Sequence, residues 1–502
     1  MKTKIVSTRI PVGQASGSFD ILLPTGFGIP RGFIVYAMDN FVQPNNFDSD
    51  TDFPCLSVGF GGSNIAGTGL TNICVYVANN EVATTATLSS FGNTISIFTT
   101  NIAGTVRRQW QMTGFGQDII FGQYQSTGTQ LSPIDAVFTV FGGNDFQCAV
   151  GQTALPAAIN SLVNVSMPFQ PDAVLYSGMR PAQTTDGNIN FGVATRDAAA
   201  GTTNVTTQVS SAWRNLNTQT AAQCTCRVDN GGTFNLATNA QIKATYMSPI
   251  GVGFTQSTVN TGNSVMFMAL KGGTGLSTNP TFAAGTFQSA TGTGNSFYAV
   301  GFKPEHIIGS FTHVPNLNAT QATQANGADM VSFFTANGFD ESNITGIGTF
   351  TSSTSTTTVT GVGTSFLNQL GAIDEIYTSG YQLVGIVSSI TSNTSLLIQS
   401  NAAITATGSS FVFQKPQQFS YSYGNEDAGS GSLNQRGYIS DSAIVSFTAT
   451  TPALQAVGNI TKLNGENGFN VNYTTLVAGA RYGWYLAIRD DDYYVRRRGS
   501  VS

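Results

Sequence analysis

Three stretches, GFGIPRGFIVYAM (26–38), PFQPDAVLYSGM (168–179) and GFKPEHIIGSFT (301–312), run from a phenylalanine through a proline into an apolar segment. A glycine-phenylalanine step follows each of them, at Gly114-Phe115, Gly253-Phe254 and Gly468-Phe469. A last apolar run then closes each unit: AVFTVFGG (136–143), VMFMALKGG (265–273) and YGWYLAIRD (482–490). From opening proline to closing phenylalanine the distance is 85 residues for Pro30, 83 for Pro171 and 165 for Pro304. Recurrence on this scale means tandem modules that each fold as a unit, the third enlarged by an insertion.

The 502-residue length is too great for one core and suits three or four ordinary domains. Only 9% of residues are charged, against about 25% in a typical soluble protein. Gly, Ser, Thr and Asn supply the polar surface instead. A hydrophobic content of 41%, evenly spread, lets the chain bury enough apolar area to offset the entropy of ordering. The net charge of −5 arises from sparse charges of both signs, leaving no basic field for nucleic acid. There is no apolar run of spanning length, so membrane insertion is not expected. The start, MKTKIVSTRIPVGQASG, lacks the apolar core of a secretion signal, which predicts synthesis in the cytoplasm without general export.

Strand signals dominate: ISIF (95–98), INFGVATR (189–196), TCRVD (225–229) and VSFFT (331–335) are short, β-branched or aromatic, and bounded by Gly, Asn, Ser or Pro. No long stretch shows helical spacing of apolar residues. The predicted fold class is all-β, tandem β-sandwich modules with a small inserted β domain. Residues 1–14 read as an N-terminal arm, 15–145 as module 1, 150–275 as module 2, and 288–342 with 417–490 as module 3. The Gly/Thr/Ser-rich passage 272–287 reads as a linker or loose edge segment. Residues 343–416 read as the inserted domain, with an Asn-centred turn joining two strands in SSITSNTSLLIQ (388–399). The tail 491–502 follows, where acids at Asp490, Asp491 and Asp492 precede Arg496, Arg497 and Arg498; it reads either as an assembly peg or as a solvated terminus.

The GF-x-P opening, the later GF step and the final aromatic-aliphatic strand resemble a repeated domain common in structural proteins of tailed bacteriophages. Module 1 departs by an extra residue before its proline, and module 2 has Pro168 in place of the first glycine. The inserted segment is similar to a small β module widespread in phage tail and fibre proteins, through GVGTSFLNQLGAIDEI and IVSSITSNTSLLIQ. The resemblance implies a virion protein assembled in the bacterial cytoplasm and does not itself set its position; tail or neck association is the expectation, with capsid decoration as the alternative. It implies a homo-oligomer contacting other virion proteins, and a host cell-surface glycan as a further partner.

Candidates for chemistry are few, and no catalytic, cofactor or metal residue is assigned. Five cysteines, Cys55, Cys74, Cys148, Cys224 and Cys226, are odd in number and read as buried small apolar residues. Cys224 and Cys226 fall on one strand face without further ligands nearby in sequence. His306 and His313 lack a neighbouring nucleophile motif and read as strand or loop residues. DSDTD (48–52) alternates Asp48, Asp50 and Asp52 like half of an EF-hand, but Phe53 stands where glycine is needed and Gly59 where the bidentate glutamate belongs. An acidic loop is the expectation, a non-EF calcium site the alternative. Trp110, Trp213 and Trp484 are expected in module cores rather than on a sugar-stacking surface. In the inserted domain Phe350, Phe366, Tyr377, Tyr381, Phe411 and Phe413 form no evident platform. Two positioned carboxylates suffice for glycoside hydrolysis, so a carbohydrate-binding or polysaccharide-depolymerising protein is the rival to a non-enzymatic one.

Overall fold

A computed structural model describes residues 2–10, 16–24, 26–39, 55–78, 88–100, 106–126, 134–179, 186–197, 201–216, 224–236, 240–258, 262–272, 282–302, 304–322, 329–337, 344–370, 374–414, 417–427, 433–448, 453–461, 467–476 and 479–489. The described residues are almost entirely strand, with one four-residue helix. They divide into two compact units: unit 1 is Met1–Thr335, Gln418–Asn459 and Gly465–Ser502, and unit 2 is Ala336–Gln417 with Ile460–Asn464.

Module 1 contains β1 (Lys2–Ile10), β2 (Gly17–Ser18), β3 (Ile21–Leu22), β4 (Pro30–Asp39), β5 (Cys55–Asn64), β6 (Leu70–Ala78), β7 (Leu88–Asn93), β8 (Ile97–Thr100), β9 (Val106–Gly116), β10 (Ile119–Ser126) and β11 (Ile134–Gly142). One sheet runs β1-β11-β4-β5-β6-β7, and a second runs β2-β10-β9-β8 with β3 also on β10.

Module 2 contains β12 (Gln147–Ala154), β13 (Val163–Ser166), β14 (Ala173–Met179), β15 (Asp186–Arg196), β16 (Val205–Leu216), β17 (Cys224–Asp229), β18 (Thr233–Asn235), β19 (Ala240–Ser248), β20 (Gly251–Gln256) and β21 (Ser264–Lys271). Its sheets run β12-β21-β14-β15-β16-β17 and β13-β20-β19-β18, the same order strand for strand.

In module 3 the chain passes through β22 (Phe282–Gln288), β23 (Gly294–Ala299), β24 (His306–Thr312), the short β25 (Gln321–Ala322) and β26 (Asp329–Asn337) before entering unit 2. Unit 2 holds β27 (Ile344–Thr345), β28 (Thr349–Ser352), β29 (Thr358–Val362), α1 (Phe366–Gln369), β30 (Glu375–Thr378), β31 (Leu383–Ser392), β32 (Ser395–Ile398), β33 (Ala406–Ser409) and β34 (Phe411–Gln414). Module 3 resumes with β35 (Gln417–Asp427), β36 (Leu433–Ser440), β37 (Ile444–Thr448), β38 (Ala453–Thr461), β39 (Gly468–Leu476) and β40 (Tyr482–Ile488). Its sheets are β22-β40-β24-β26-β35-β36 and β23-β39-β38-β37, the same order a third time. The proline-opened strands β4, β14 and β24 occupy the same place in each.

Four sequence expectations shift. The stretch 1–14, expected as an arm, supplies β1, which pairs along its length with β11 from Lys2↔Gly142 to Ile10↔Ile134. Module 2 begins earlier than residue 150, with β12 at Gln147. The passage 272–287, expected as a linker, ends in β22, which pairs with β40 and is the first strand of module 3. The GF steps are not all equivalent: Gly253-Phe254 lies on β20 and Gly468-Phe469 on β39, which correspond, but Gly114-Phe115 lies on β9, one strand earlier. The strand that corresponds in module 1 is β10, where Ile120 is fully buried and pairs with Ile21. Phe115 instead pairs with Ile120 at the β9–β10 turn, whose Asp118 takes a left-handed φ of 58°. The similar spacing in residues was therefore a coincidence of one hairpin.

The apolar runs follow from burial on both faces of the six-stranded sheets, where strands read as continuous hydrophobic segments. On β4 the residues Phe33, Val35 and Ala37 enter the core of their own sandwich against Trp110, Ile120 and Tyr124. The alternate residues Ile34, Tyr36 and Met38 enter a second core shared by all three modules. On β14, Val174 and Tyr176 face their own sandwich, while Ala173 and Leu175 face the shared core. Each of the Val, Leu, Ile, Phe and Met side chains among them contributes about 1.5–3 kcal/mol on burial.

Unit 2 is an eight-stranded sheet in the order β27-β34-β30-β31-β32-β29-β28-β33. Phe350, Val359, Phe366, Ile376, Val384, Val387, Leu396, Ile398, Phe411 and Phe413 form its own core. The expected Asn-centred turn joins β31 to β32 at Asn393-Thr394.

Candidate functional sites

Around the shared core the modules meet head to tail. Phe60 of β5 packs on Phe191 of β15 at 5.7 Å, and Phe191 meets Phe333 of β26 edge-on at 5.8 Å. Tyr36 of β4 stacks on Phe333 at 5.9 Å, closing the triangle. Trp213 and Tyr423 meet edge-on at 5.0 Å, and Phe191 and Trp484 at 5.6 Å, between modules 2 and 3. Backbone pairing reinforces two seams: β12 joins β5 in parallel at Ala149↔Ser63 and Val150↔Asn64, and β17 joins β25 at Thr225↔Ala322 and Cys226↔Gln321.

Several polar contacts at the seams are paired hydroxyls. Ser211 Oγ donates to Ser310 Oγ at 2.6 Å and accepts from Trp484 Nε1 at 3.1 Å. Thr139 and Thr335 hydroxyls lie 2.7 Å apart, and Thr335 Oγ1 lies 3.0 Å from His306 Nε2. A low-dielectric seam tolerates such neutral pairs without the desolvation cost of a buried charge.

His306 is fully buried on β24, and burial lowers its pKa to about 3. His313 is lowered to about 4 by burial and then by Arg481, whose guanidinium nitrogen lies 3.1 Å from His313 Nε2. Both rings are therefore neutral near pH 7. Cys55, Cys74, Cys148 and Cys226 are buried, and the Cys148 thiol is pushed up by burial. The Cys226 thiol donates to Met330 O at 3.4 Å across the seam between modules 2 and 3; the side chain of Cys224 lies outside the described residues. Trp110, Trp213 and Trp484 are each at most 1% exposed, Trp110 in the core of its own module as expected and Trp213 and Trp484 in the core shared between modules. Asp48, Asp50 and Asp52 lie outside the described residues, as does the tail from 490. No group of three metal-ligating side chains occurs among the described residues, and no helix there is long and apolar enough to cross a membrane.

Asp39, at the end of β4, is 2% exposed and accepts from Cys55 N at 2.8 Å. Burial raises its pKa to about 6, against the opposing pull of Arg107, whose Nη1 is 4.0 Å away.

A cleft of about 260 Å³ opens where module 1 meets β12 of module 2, lined by Leu70, Thr71, Asn72, Thr94, Gln111 and Gln152 among others. Its floor is fixed by Asn72, whose Oδ1 accepts from Ser96 Oγ at 2.6 Å and Met112 N at 3.0 Å, while its Nδ2 donates to Met112 O at 2.9 Å. Thr94 sits on the rim with φ of 69° and its N bonded to Asn72 O at 2.9 Å. A β-branched residue held there costs roughly 1–2 kcal/mol, strain of the kind that gathers at functional sites. Sequence reasoning missed these residues because they come from four separate segments.

In unit 2, Phe350, Phe366, Tyr377, Phe411 and Phe413 are buried, but Tyr381 is 63% exposed at the β30–β31 turn with φ of 61°. Ile347, Val362 and Leu367 are exposed as well.

No known protein family matches the chain, and no curated protein matches it. Among solved structures, the chain is similar to mouse laminin alpha1 chain, domains LG4-5, at 10% identity, over 54% of this chain and 91% of that one. The TM-score of 0.10 is too low for that likeness to carry an argument.

Proposed function

We propose that this protein is a non-enzymatic structural component of a bacteriophage virion, tail- or neck-associated, contributing to particle assembly and host attachment. The observation that carries the reading is the threefold use of one ten-strand sandwich plan around a shared core, with a separately compact β unit inserted between β26 and β35. Repetition of this kind builds a stiff body, and the insert carries the phrase that resembles phage tail and fibre modules. Sparse charge and paired seam hydroxyls suit surfaces that pack closely against copies of the chain and other virion proteins.

The head-to-tail triangle of modules also favours a second position. A chain that presents three similar sandwiches fits a site of threefold symmetry, as a decoration protein on the capsid would. Mass spectrometry of purified particles, with antibody labelling of the chain by electron microscopy, tests both. Stoichiometric label on tail or neck supports the first, regular label over the head supports the second, and absence from particles overturns the virion reading.

A further inference from the structure

We infer that the cleft between module 1 and β12 is a binding site for a neutral, polyhydroxylated ligand, namely a sugar unit of a glycan. Thr71, Thr94, Gln111 and Gln152 line it, and none of these side chains forms a hydrogen bond among the described residues. The amides offer donors and acceptors together, and the hydroxyls offer either, which is the complement of a ring of sugar hydroxyls.

The lining also discriminates. Among the described residues no Lys, Arg, Asp or Glu lines the cleft, so an ion entering it would lose hydration without gaining a counter-charge there. A wholly apolar ligand would leave the amides and hydroxyls unsatisfied. Leu70, 43% exposed, adds the apolar surface on which the C–H face of a sugar ring rests. The volume of about 260 Å³ lies just below the small-ligand range of about 300–1,000 Å³, so the site takes a single sugar unit rather than an extended chain.

Preorganisation supports the same reading. The bonds of Asn72 to Ser96 and Met112 hold the floor rigid, and the left-handed backbone of Thr94 fixes the rim. A rigid set of polar groups lowers the ordering cost of binding. The inference rests on the cleft alone: absence of the protein from particles would defeat the virion proposal and leave sugar binding intact.

The test is saturation-transfer NMR on the full chain with D-glucose, D-galactose, D-mannose and N-acetyl-D-glucosamine, and with D-glucuronate and inorganic phosphate as charged probes. At least one neutral sugar should bind with Kd on the order of 1 mM. Gln111→Ala and Gln152→Ala should each weaken it about fivefold to tenfold, while Gln288→Ala, at an exposed position of β22 in module 3, leaves it unchanged. Gln152 is exposed, so its variant retains the fold. The inference is overturned if no neutral sugar shows transfer at on the order of 10 mM, if a charged probe binds more tightly, or if both cleft variants bind like the parent.

Discussion

His306 sits at the seam between modules 1 and 3 with Nε2 facing Thr335 Oγ1 and with its other ring nitrogen unpaired. Its folded pKa of about 3 lies below the unfolded value of 6.5, so between these pH values the unfolded chain binds the extra proton. Stability should therefore rise from pH 3 to 6.5, by up to about 1.4 kcal/mol per pH unit for this one group. His313 acts in the same sense from about 4 upward. Asp39 acts oppositely, because its folded pKa of about 6 exceeds 3.8 and the folded chain holds the proton as pH rises through that window. Urea denaturation at half-unit steps from pH 4 to 7 should show a shallower rise for His306→Gln, which keeps an amide facing Thr335, and a steeper one for Asp39→Asn. An unchanged slope in His306→Gln would mean that the ring is solvated in solution. The burial of His306 was legible only in part: HIIGSFT reads as an apolar strand, but the second buried face that traps the histidine comes from residues 139 and 335.

At the scale of the element, the two kinds of GF step predict different mutational costs. Phe254 on β20 and Phe469 on β39 are at most 1% exposed, so Phe254→Ala and Phe469→Ala should each cost about 3–5 kcal/mol. Phe115 is only partly buried beside a turn, and Phe115→Ala should cost about 1 kcal/mol. Chemical denaturation of the three variants checks this, and equal costs would return Gly114-Phe115 to the set of equivalent positions. A second element-level prediction concerns Gly59 of β5, where a Cβ would collide with Ser96 O on the facing sheet. Gly59→Ala should destabilise by about 1–3 kcal/mol, whereas Gly292→Ala, with nothing within 4 Å of its Cβ, should change stability by less than about 0.5 kcal/mol. Strand identity was readable from FIVYAM and VMFMAL. Strand partnership was not, because hairpin turns such as that at Asp118 carry the same Gly and Phe residues that mark the repeat.

For the whole molecule, the insertion point makes unit 2 removable. The chain leaves at the end of β26 and returns at the start of β35, which are neighbours in one sheet, so a short link can join them as an ordinary hairpin. Deleting 343–416 and joining the ends with a Gly/Ser link should leave soluble protein that unfolds cooperatively, as read by circular dichroism and sedimentation. Aggregation or a broad, non-cooperative melt would show that unit 2 supports module 3. All-β class, three openings and the presence of an insert could be read from sequence spacing. The shared core could not, since alternation along β4 shows only that both faces are apolar and says nothing of what covers the second one.

The connections equivalent to the insertion site are short in the other modules, residues 65–69 between β5 and β6 and 197–204 between β15 and β16. A ring assembled from three identical chains would carry any change at this loop in triplicate. Here each third is encoded separately, so one lineage of mutations can add a domain to a single sector, and another can shape the cleft beside β12, while the remaining sectors keep their form. Covalent linkage also fixes the order of the modules at synthesis, so the module that carries unit 2 is the third in every copy of the chain.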